Sequence, residues 1–223
     1  MKKFILSPLC APLLTIAFLV LFSMLAIYQY TAGNVDFFEN WHTCDIVTYS
    51  IYALAAITLG AFFKDYQTKK ERIAYGIFFF LIIAAVLREM GIQHWLTKTD
   101  TTAIKLRFFT NPNNPLHEKI ISASLVLLVA GVVLYLIWQY APRIWRGFWN
   151  KEPMYWSICT MCTMGIICKI ADRFPSNYVK STGVRLSNDV FFLFTLVEES
   201  CEATLPLMAL LGFVQFHLMK KEK

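Results

Sequence analysis

The chain has 223 residues, of which 57% are hydrophobic and only 16% are charged, and its mean hydropathy is +0.50. Soluble domains average about 45–50% apolar and about 25% charged residues, so this composition excludes a large soluble domain and indicates an integral membrane protein. The net charge of +6 does not indicate nucleic-acid binding, because the aromatic residues lie mostly inside apolar runs and not on a basic face.

Six apolar runs are candidate transmembrane helices. They cover residues 9–30, 46–63, 73–91, 120–141, 153–171 and 190–218. About 20 helical residues cross a hydrocarbon core of about 30 Å. The first and fourth runs meet this length without any charge, whereas the third, fifth and sixth meet it only when their charged residues are included. We expect an all-α bundle of about six transmembrane helices that forms one polytopic domain over residues 1–223.

Basic residues predict the orientation of these spans. Lysine and arginine cluster before the first span, between the second and third, between the fourth and fifth, and after the sixth. With six spans all four clusters fall on one side, so the positive-inside rule predicts that both the N- and C-termini are cytoplasmic. The first run is longer than the apolar core of a signal peptide, which favours an uncleaved helix. We therefore expect a multi-pass protein of the bacterial inner membrane.

The longest predicted connection is the outer loop at residues 97–118. Its apolar residues Ile104, Leu106, Phe108 and Phe109 predict a short amphipathic segment at the membrane surface. The sequence NPNNP at residues 111–115 is expected to end that segment, because proline lacks a backbone donor and asparagine favours turns.

Three glutamates, Glu198, Glu199 and Glu202, lie inside the sixth apolar run. Their i,i+3 and i,i+4 spacings predict one polar arc on the helix. Counting from Asp189 at 1.5 Å per residue places Glu198 about 13 Å and Glu202 about 20 Å below the outer boundary. A charge at the membrane centre costs about 2.5–3.5 kcal/mol, so the cluster is expected to avoid lipid and to mark a functional site.

Charged residues near the outer ends of other spans are candidate partners of these glutamates. They are Arg88 and Glu89 in the third span, Lys169, Asp172 and Arg173 at the end of the fifth, and His94 in the outer loop. The inner halves of the spans are almost free of polar residues. This asymmetry predicts a cavity that opens to the periplasm and has the three glutamates at its floor.

The residues of this predicted cavity have separate candidate roles. Candidate catalytic residues are Glu198, Glu199, Glu202, Glu89 and His94. Candidate binding residues are Arg88, Lys169, Asp172 and Arg173. Candidate metal ligands are Glu199, Glu202, Glu89 and His94, because carboxylates and imidazoles bind divalent ions, so a divalent metal ion is a candidate cofactor.

Three functions fit this pattern. The first is an enzyme that acts on a lipid or a lipid-linked substrate, either through a metal ion or through acid–base catalysis by the carboxylates. The second is a transporter or permease for a cation, a proton-coupled solute or a lipid. The third is an accessory membrane subunit in which Arg88 and Lys169 neutralise the glutamates in a structural salt-bridge network. The expected partners are the lipid bilayer and a lipid or small-molecule ligand. No P-loop, GxSxG or HExxH motif occurs in the sequence.

Overall fold

The computed structural model describes residues 2–33, 43–90 and 106–222. Within these ranges the chain forms helices and no strands, so the prediction of an all-α fold is confirmed there. The helices are α1 (Lys2–Ile5), α2 (Cys10–Thr31), α3 (Thr43–Ala61), α4 (Lys69–Glu89), α5 (Leu106–Thr110), α6 (Leu116–Trp149), α7 (Pro153–Thr182) and α8 (Asn188–Lys220). A short 3₁₀ turn, Phe63–Asp65, follows α3.

Four of these helices, α2, α6, α7 and α8, are long and apolar enough to cross a membrane. α3 is a shorter apolar helix. α4 has its apolar residues 73–87 between charged residues at both ends. The predicted second and third spans correspond to α3 and α4. The described residues thus contain four helices of membrane-spanning length, and six spans remain a prediction. Residues 97–105 of the predicted outer loop lie outside the described residues, and α5 begins directly after them.

The described helices belong to two compact units. Unit 1 comprises Met1–Asp65 and Ile144–Lys223, and it contains α2, α3, α7 and α8. Unit 2 comprises Tyr66–Arg143, and it contains α4, α5 and most of α6. The last residues of α6 therefore belong to unit 1, where they connect directly to α7.

Helix α8 is the central helix of unit 1, because α2, α3 and α7 all pack against it. Six of its nine buried residues recur every three or four positions and form a stripe along the helix: Leu196, Ser200, Thr204, Met208, Leu211 and Gln215. This spacing is that of one helix face. On α2, Phe22 and Ala26 pack against Leu196, and Cys10 packs against Met208.

Side-chain contacts show the helix directions in unit 1. The Tyr30 hydroxyl at the end of α2 donates to Asp189 Oδ1 at the start of α8 over 3.0 Å. The rings of Phe174 in α7 and Phe194 in α8 stack with centroids 4.3 Å apart, and the earlier residue Ser157 of α7 meets Gln215 near the end of α8. Helices α2 and α7 therefore run antiparallel to α8.

The two ends of the described chain meet at one end of unit 1. Lys2 Nζ and Glu222 Oε1 form an ion pair at 2.9 Å. Asp65, which follows α3, contacts His217 at the same end of the unit. We call this region the Lys2–Glu222 end, and the opposite region, with Tyr30 and Asp189, the Asp189 end.

Candidate functional site

The three glutamates lie in the half of α8 that is nearer the Asp189 end, and all three are half-buried. Glu198 and Glu202 are each about 160° from Ser200 on an ideal helix, so they face away from the buried stripe. Each of the three glutamates interacts with at least one other residue. Helix α8 continues through the buried Pro206 without a break from Asn188 to Lys220.

Helix α7 supplies a contact to this acidic face. The buried thiol of Cys168 donates to Glu202 Oε1, with sulfur and oxygen 3.6 Å apart. Glu198 also lies close enough to that thiol to interact with it electrostatically. The sequence analysis did not select Cys168, because a thiol in an apolar run usually packs as a small hydrophobic residue. Its contact places the acidic face beside α7.

The hydroxyl groups next to the glutamates are used within α8 itself. Thr195 Oγ1 donates to the Phe191 carbonyl oxygen over 3.2 Å, and Thr204 Oγ1 donates to the Ser200 carbonyl oxygen over 2.7 Å. Ser200 Oγ donates to a main-chain oxygen as well. These bonds direct the hydroxyl hydrogens to the backbone and not to the carboxylates.

Lys169 and Arg173 lie on α7 with Asp172 between them. Lys169 Nζ forms an ion pair with Asp172 Oδ2, and Arg173 Nε lies 3.7 Å from the same oxygen. The side chains of Lys169 and Arg173 are 59% and 61% exposed, whereas that of Asp172 is 34% exposed. Two cations thus share one carboxylate, and this cluster has a net charge of +1.

An open groove of about 860 Å³ follows the same side of α7. Its described lining residues all come from α7: Cys162, Gly165, Ile166, Lys169, Ile170, Arg173, Phe174, Asn177, Tyr178 and Ser181. The groove is apolar toward Cys162 and becomes basic and then polar toward Ser181. The two ends of the groove therefore differ in polarity, as the acyl chain and the headgroup of a lipid do.

Three of the predicted site residues belong to unit 2 or lie outside the described residues. Arg88 and Glu89 lie in the last turn of α4, in unit 2, and His94 lies outside the described residues. Among the described residues, no group of three or more His, Cys, Asp and Glu side chains could hold a metal ion. The predicted metal site with Glu89 and His94 therefore remains a prediction.

A polar cluster that the sequence analysis missed lies near the Lys2–Glu222 end. Gln215 is fully buried, its Oε1 accepts from Ser157 Oγ over 2.7 Å, and its Nε2 donates to the Ile5 carbonyl oxygen over 2.9 Å. The only signal in the sequence was a glutamine in an apolar run. Its partners are 58 and 210 positions away, so sequence spacing could not reveal them.

A second cluster at this end joins α8 to the segment after α3. The ring of His217 stacks on Phe62 with centroids 3.8 Å apart, and its Nδ1 forms a hydrogen bond with Asp65 Oδ2. Lys220 Nζ donates to the Asp65 carbonyl oxygen. Polar contacts therefore join the helices at the Lys2–Glu222 end of unit 1, where the sequence showed few polar residues.

Composition and the four long apolar helices of the described chain are those of a helical membrane protein. Comparison with protein-family models, with curated proteins and with solved structures finds no match to this chain.

Proposed function

We propose that the chain is a multi-pass protein of the bacterial inner membrane that binds a lipid or lipid-linked substrate and acts on it by acid–base chemistry. The groove along α7 carries this proposal. Its volume is within the range of about 300–1,000 Å³ that is usual for ligand sites. Lys169 and Arg173 would bind the anionic headgroup, and Ile166 and Ile170 would contact the acyl chain.

Six spans with both termini in the cytoplasm are part of this proposal. The 19 residues of α3 rise about 28 Å, which is close to the thickness of the hydrocarbon core. The ion pair between Lys2 and Glu222 agrees with an even number of crossings. In this arrangement the groove's basic end and the acidic face of α8 both belong to the periplasmic half of the protein.

Glu198, Glu199 and Glu202 are the proposed acid–base residues. A carboxyl group in a half-buried environment can exchange a proton with a bound substrate, and such groups contribute about 10²- to 10⁴-fold to a rate. The hydroxyl hydrogens of Thr195, Ser200 and Thr204 are directed to the backbone, so these neighbours do not occupy the carboxylates.

The binding part is tested with the double variant Lys169→Gln/Arg173→Gln in lipid nanodiscs. Retention of anionic phospholipid, measured by native mass spectrometry, is expected to fall about tenfold because two charge-assisted contacts are lost. The matched control is Lys180→Gln/Arg185→Gln, which removes the same charge from residues that do not line the groove. Asp172→Asn is expected to increase retention, since it removes the carboxylate that competes with the headgroup.

The catalytic part is tested by incubating the protein with a mixture of inner-membrane lipids and following product formation. Glu198→Gln, Glu199→Gln and Glu202→Gln keep the side-chain shape but remove the titrating group, so turnover should fall about 100-fold at one or more of these positions. Lipid retention should stay within twofold of the parent. If the parent protein converts no lipid and the glutamine variants only lose thermal stability, the acidic face is structural and the accessory-subunit alternative is favoured.

A further inference from the structure

The start of α6, in unit 2, contains a buried carboxylate oxygen that lacks a hydrogen-bond partner. Glu118 is 8% exposed, and its Oε2 has no partner within the described part of the chain. Asn114 is 4% exposed, and its Oδ1 also lacks a partner there. Buried polar atoms without a partner are rare in folded proteins, and each calls for a chemical explanation.

The sequence explains why Glu118 is unsatisfied. α6 begins at Leu116, so Pro115 occupies the N-cap position and Glu118 the third helical position. A glutamate there normally accepts the N-cap backbone N–H, but proline has none. Helix α4 shows the usual arrangement, because Glu71 at its third position accepts the backbone N–H of Thr68 over 2.9 Å.

The orientation of the Asn114 amide follows from its own hydrogen bond. Its Nδ2 donates to the Phe108 carbonyl oxygen over 2.8 Å, and the opposite assignment would place two acceptors together. The amide oxygen is therefore directed away from Phe108. The neighbouring cation Lys119 donates from its Nζ to the Asn111 carbonyl oxygen over 2.7 Å, and not to Glu118 Oε2 or Asn114 Oδ1.

We propose that Asn114 and Glu118 form a binding site for a primary ammonium group. An ammonium group has three N–H donors and a positive charge, so it can donate to both oxygens and neutralise the carboxylate. Calcium takes six to eight oxygen ligands and magnesium takes six in a near-octahedral arrangement, whereas this pair has only two oxygens without a partner among the described residues. Two oxygens without a partner thus suit the N–H donors of an ammonium group better than the coordination shell of a divalent metal ion.

The position of this pair along α6 indicates where the ammonium group comes from. α6 has 34 residues and rises about 51 Å, well beyond a hydrocarbon core of about 30 Å. The uncharged residues 120–141 are already long enough to cross that core. If α6 spans the membrane, Asn114 and Glu118 lie at its surface, where both aminated lipid headgroups and free amines are present.

The site is tested with the full-length protein in nanodiscs of phosphatidylcholine, whose quaternary ammonium has no N–H. Added phosphatidylethanolamine should be retained at least about tenfold better than phosphatidylcholine, which is the effect of one charge-assisted hydrogen bond. Ethanolamine should raise the thermal unfolding midpoint, whereas choline at the same concentration should not. Glu118→Gln should reduce the lipid preference to less than twofold, and the matched control Glu71→Gln should leave it unchanged.

Competition distinguishes the two sources of the ammonium group. If free ethanolamine displaces the retained phosphatidylethanolamine, one site accepts both, and if it does not, the lipid headgroup is the ligand. Equal retention of phosphatidylethanolamine and phosphatidylcholine by the parent protein overturns the proposal, as does a rise in the thermal unfolding midpoint with Mg²⁺ that exceeds any rise with ethanolamine. A preference that survives in Glu118→Gln overturns it too. Should that variant fail to fold, the comparison of phosphatidylethanolamine with phosphatidylcholine on the parent protein still decides.

Discussion

At the scale of single residues, Gln215 shows how a polar side chain is accommodated inside this membrane-length helix. Both of its polar atoms are paired, one with the Ser157 hydroxyl and one with the Ile5 carbonyl oxygen. The side chain is completely buried. It therefore joins α8 to α7 and to the segment before α2, and its contribution should depend on both partners.

Gln215→Ala is expected to lower the free energy of unfolding by about 2–4 kcal/mol. The substitution leaves a cavity and removes two buried hydrogen bonds. The change can be measured by denaturant unfolding in detergent micelles. Lys221→Ala, at an exposed position just after α8, is the control and should change the free energy by less than about 0.5 kcal/mol.

A double-mutant cycle separates the hydrogen bond from the cavity. Gln215→Leu fills the space but leaves the Ser157 hydroxyl and the Ile5 carbonyl oxygen unpaired. Adding Ser157→Ala removes one of these unpaired groups, so the double variant should be less destabilised than the sum of the two single variants by about 0.5–1.5 kcal/mol. Additive losses would show that Ser157 and Gln215 do not interact.

At the scale of elements, two backbone hydrogen bonds and one left-handed residue define the turn between α6 and α7. The amide of Glu152 donates to the Gly147 carbonyl oxygen over 2.9 Å, and that of Lys151 donates to the Phe148 carbonyl oxygen over 3.1 Å. These two bonds form a Schellman motif, in which the residue after the C-cap adopts the left-handed conformation. That residue is Lys151, with φ of 57°.

Lys151→Gly is expected to raise the free energy of unfolding by about 0.5–1 kcal/mol. A residue with a Cβ is strained in the left-handed region, and glycine is not, although its greater freedom in the unfolded chain offsets part of the gain. Thermal unfolding in micelles measures the effect. Asn150→Gly, one position earlier at the C-cap, is the control, and a stabilisation equal to that of Lys151→Gly would contradict the argument.

Gly147 is required for the close approach of α6 and α7. A Cβ atom built on Gly147 would lie 1.9 Å from Cδ2 of the Tyr155 ring. Gly147→Ala should therefore cost about 1–3 kcal/mol by overpacking, and Tyr155→Ala in the same chain should make that substitution less harmful. Gly131→Ala, also in α6 but with no atom within 4 Å of its added Cβ, should be neutral or stabilising.

The elements also show what sequence patterns can and cannot reveal. The apolar runs at residues 9–30 and 190–218 closely match α2 and α8, because apolar composition continues to the helix ends. α7 continues to Thr182, beyond the predicted end at residue 171, because a helix can extend past the apolar run through polar residues and Pro175. The spacing of the glutamates predicted their shared arc, but the contact with Cys168 depends on how α7 packs against α8.

At the scale of the whole molecule, the number of membrane crossings is the property that decides the orientation of the site. Four helices have the length and composition of spans, and α3 and α4 are the two whose insertion distinguishes four crossings from six. In both arrangements the connection from α6 to α7 lies on the same side as the N-terminus. The segment between α3 and α4 lies on that side only if both of these helices cross.

Gln67 is the position that separates the two arrangements, because it is exposed and lies between α3 and α4. In a Cys44→Ser background, Gln67→Cys should react with a membrane-impermeant maleimide only after the cells are permeabilised, as should Asn150→Cys. Ser187→Cys should react in spheroplasts without permeabilisation. Labelling of Gln67→Cys in intact spheroplasts, together with protection of Asn150→Cys, would establish four crossings and place α3 and α4 outside the cytoplasm. The four basic residues Lys64, Lys69, Lys70 and Arg72 near Gln67 favour the cytoplasmic result, because positive charge next to spans is retained on that side.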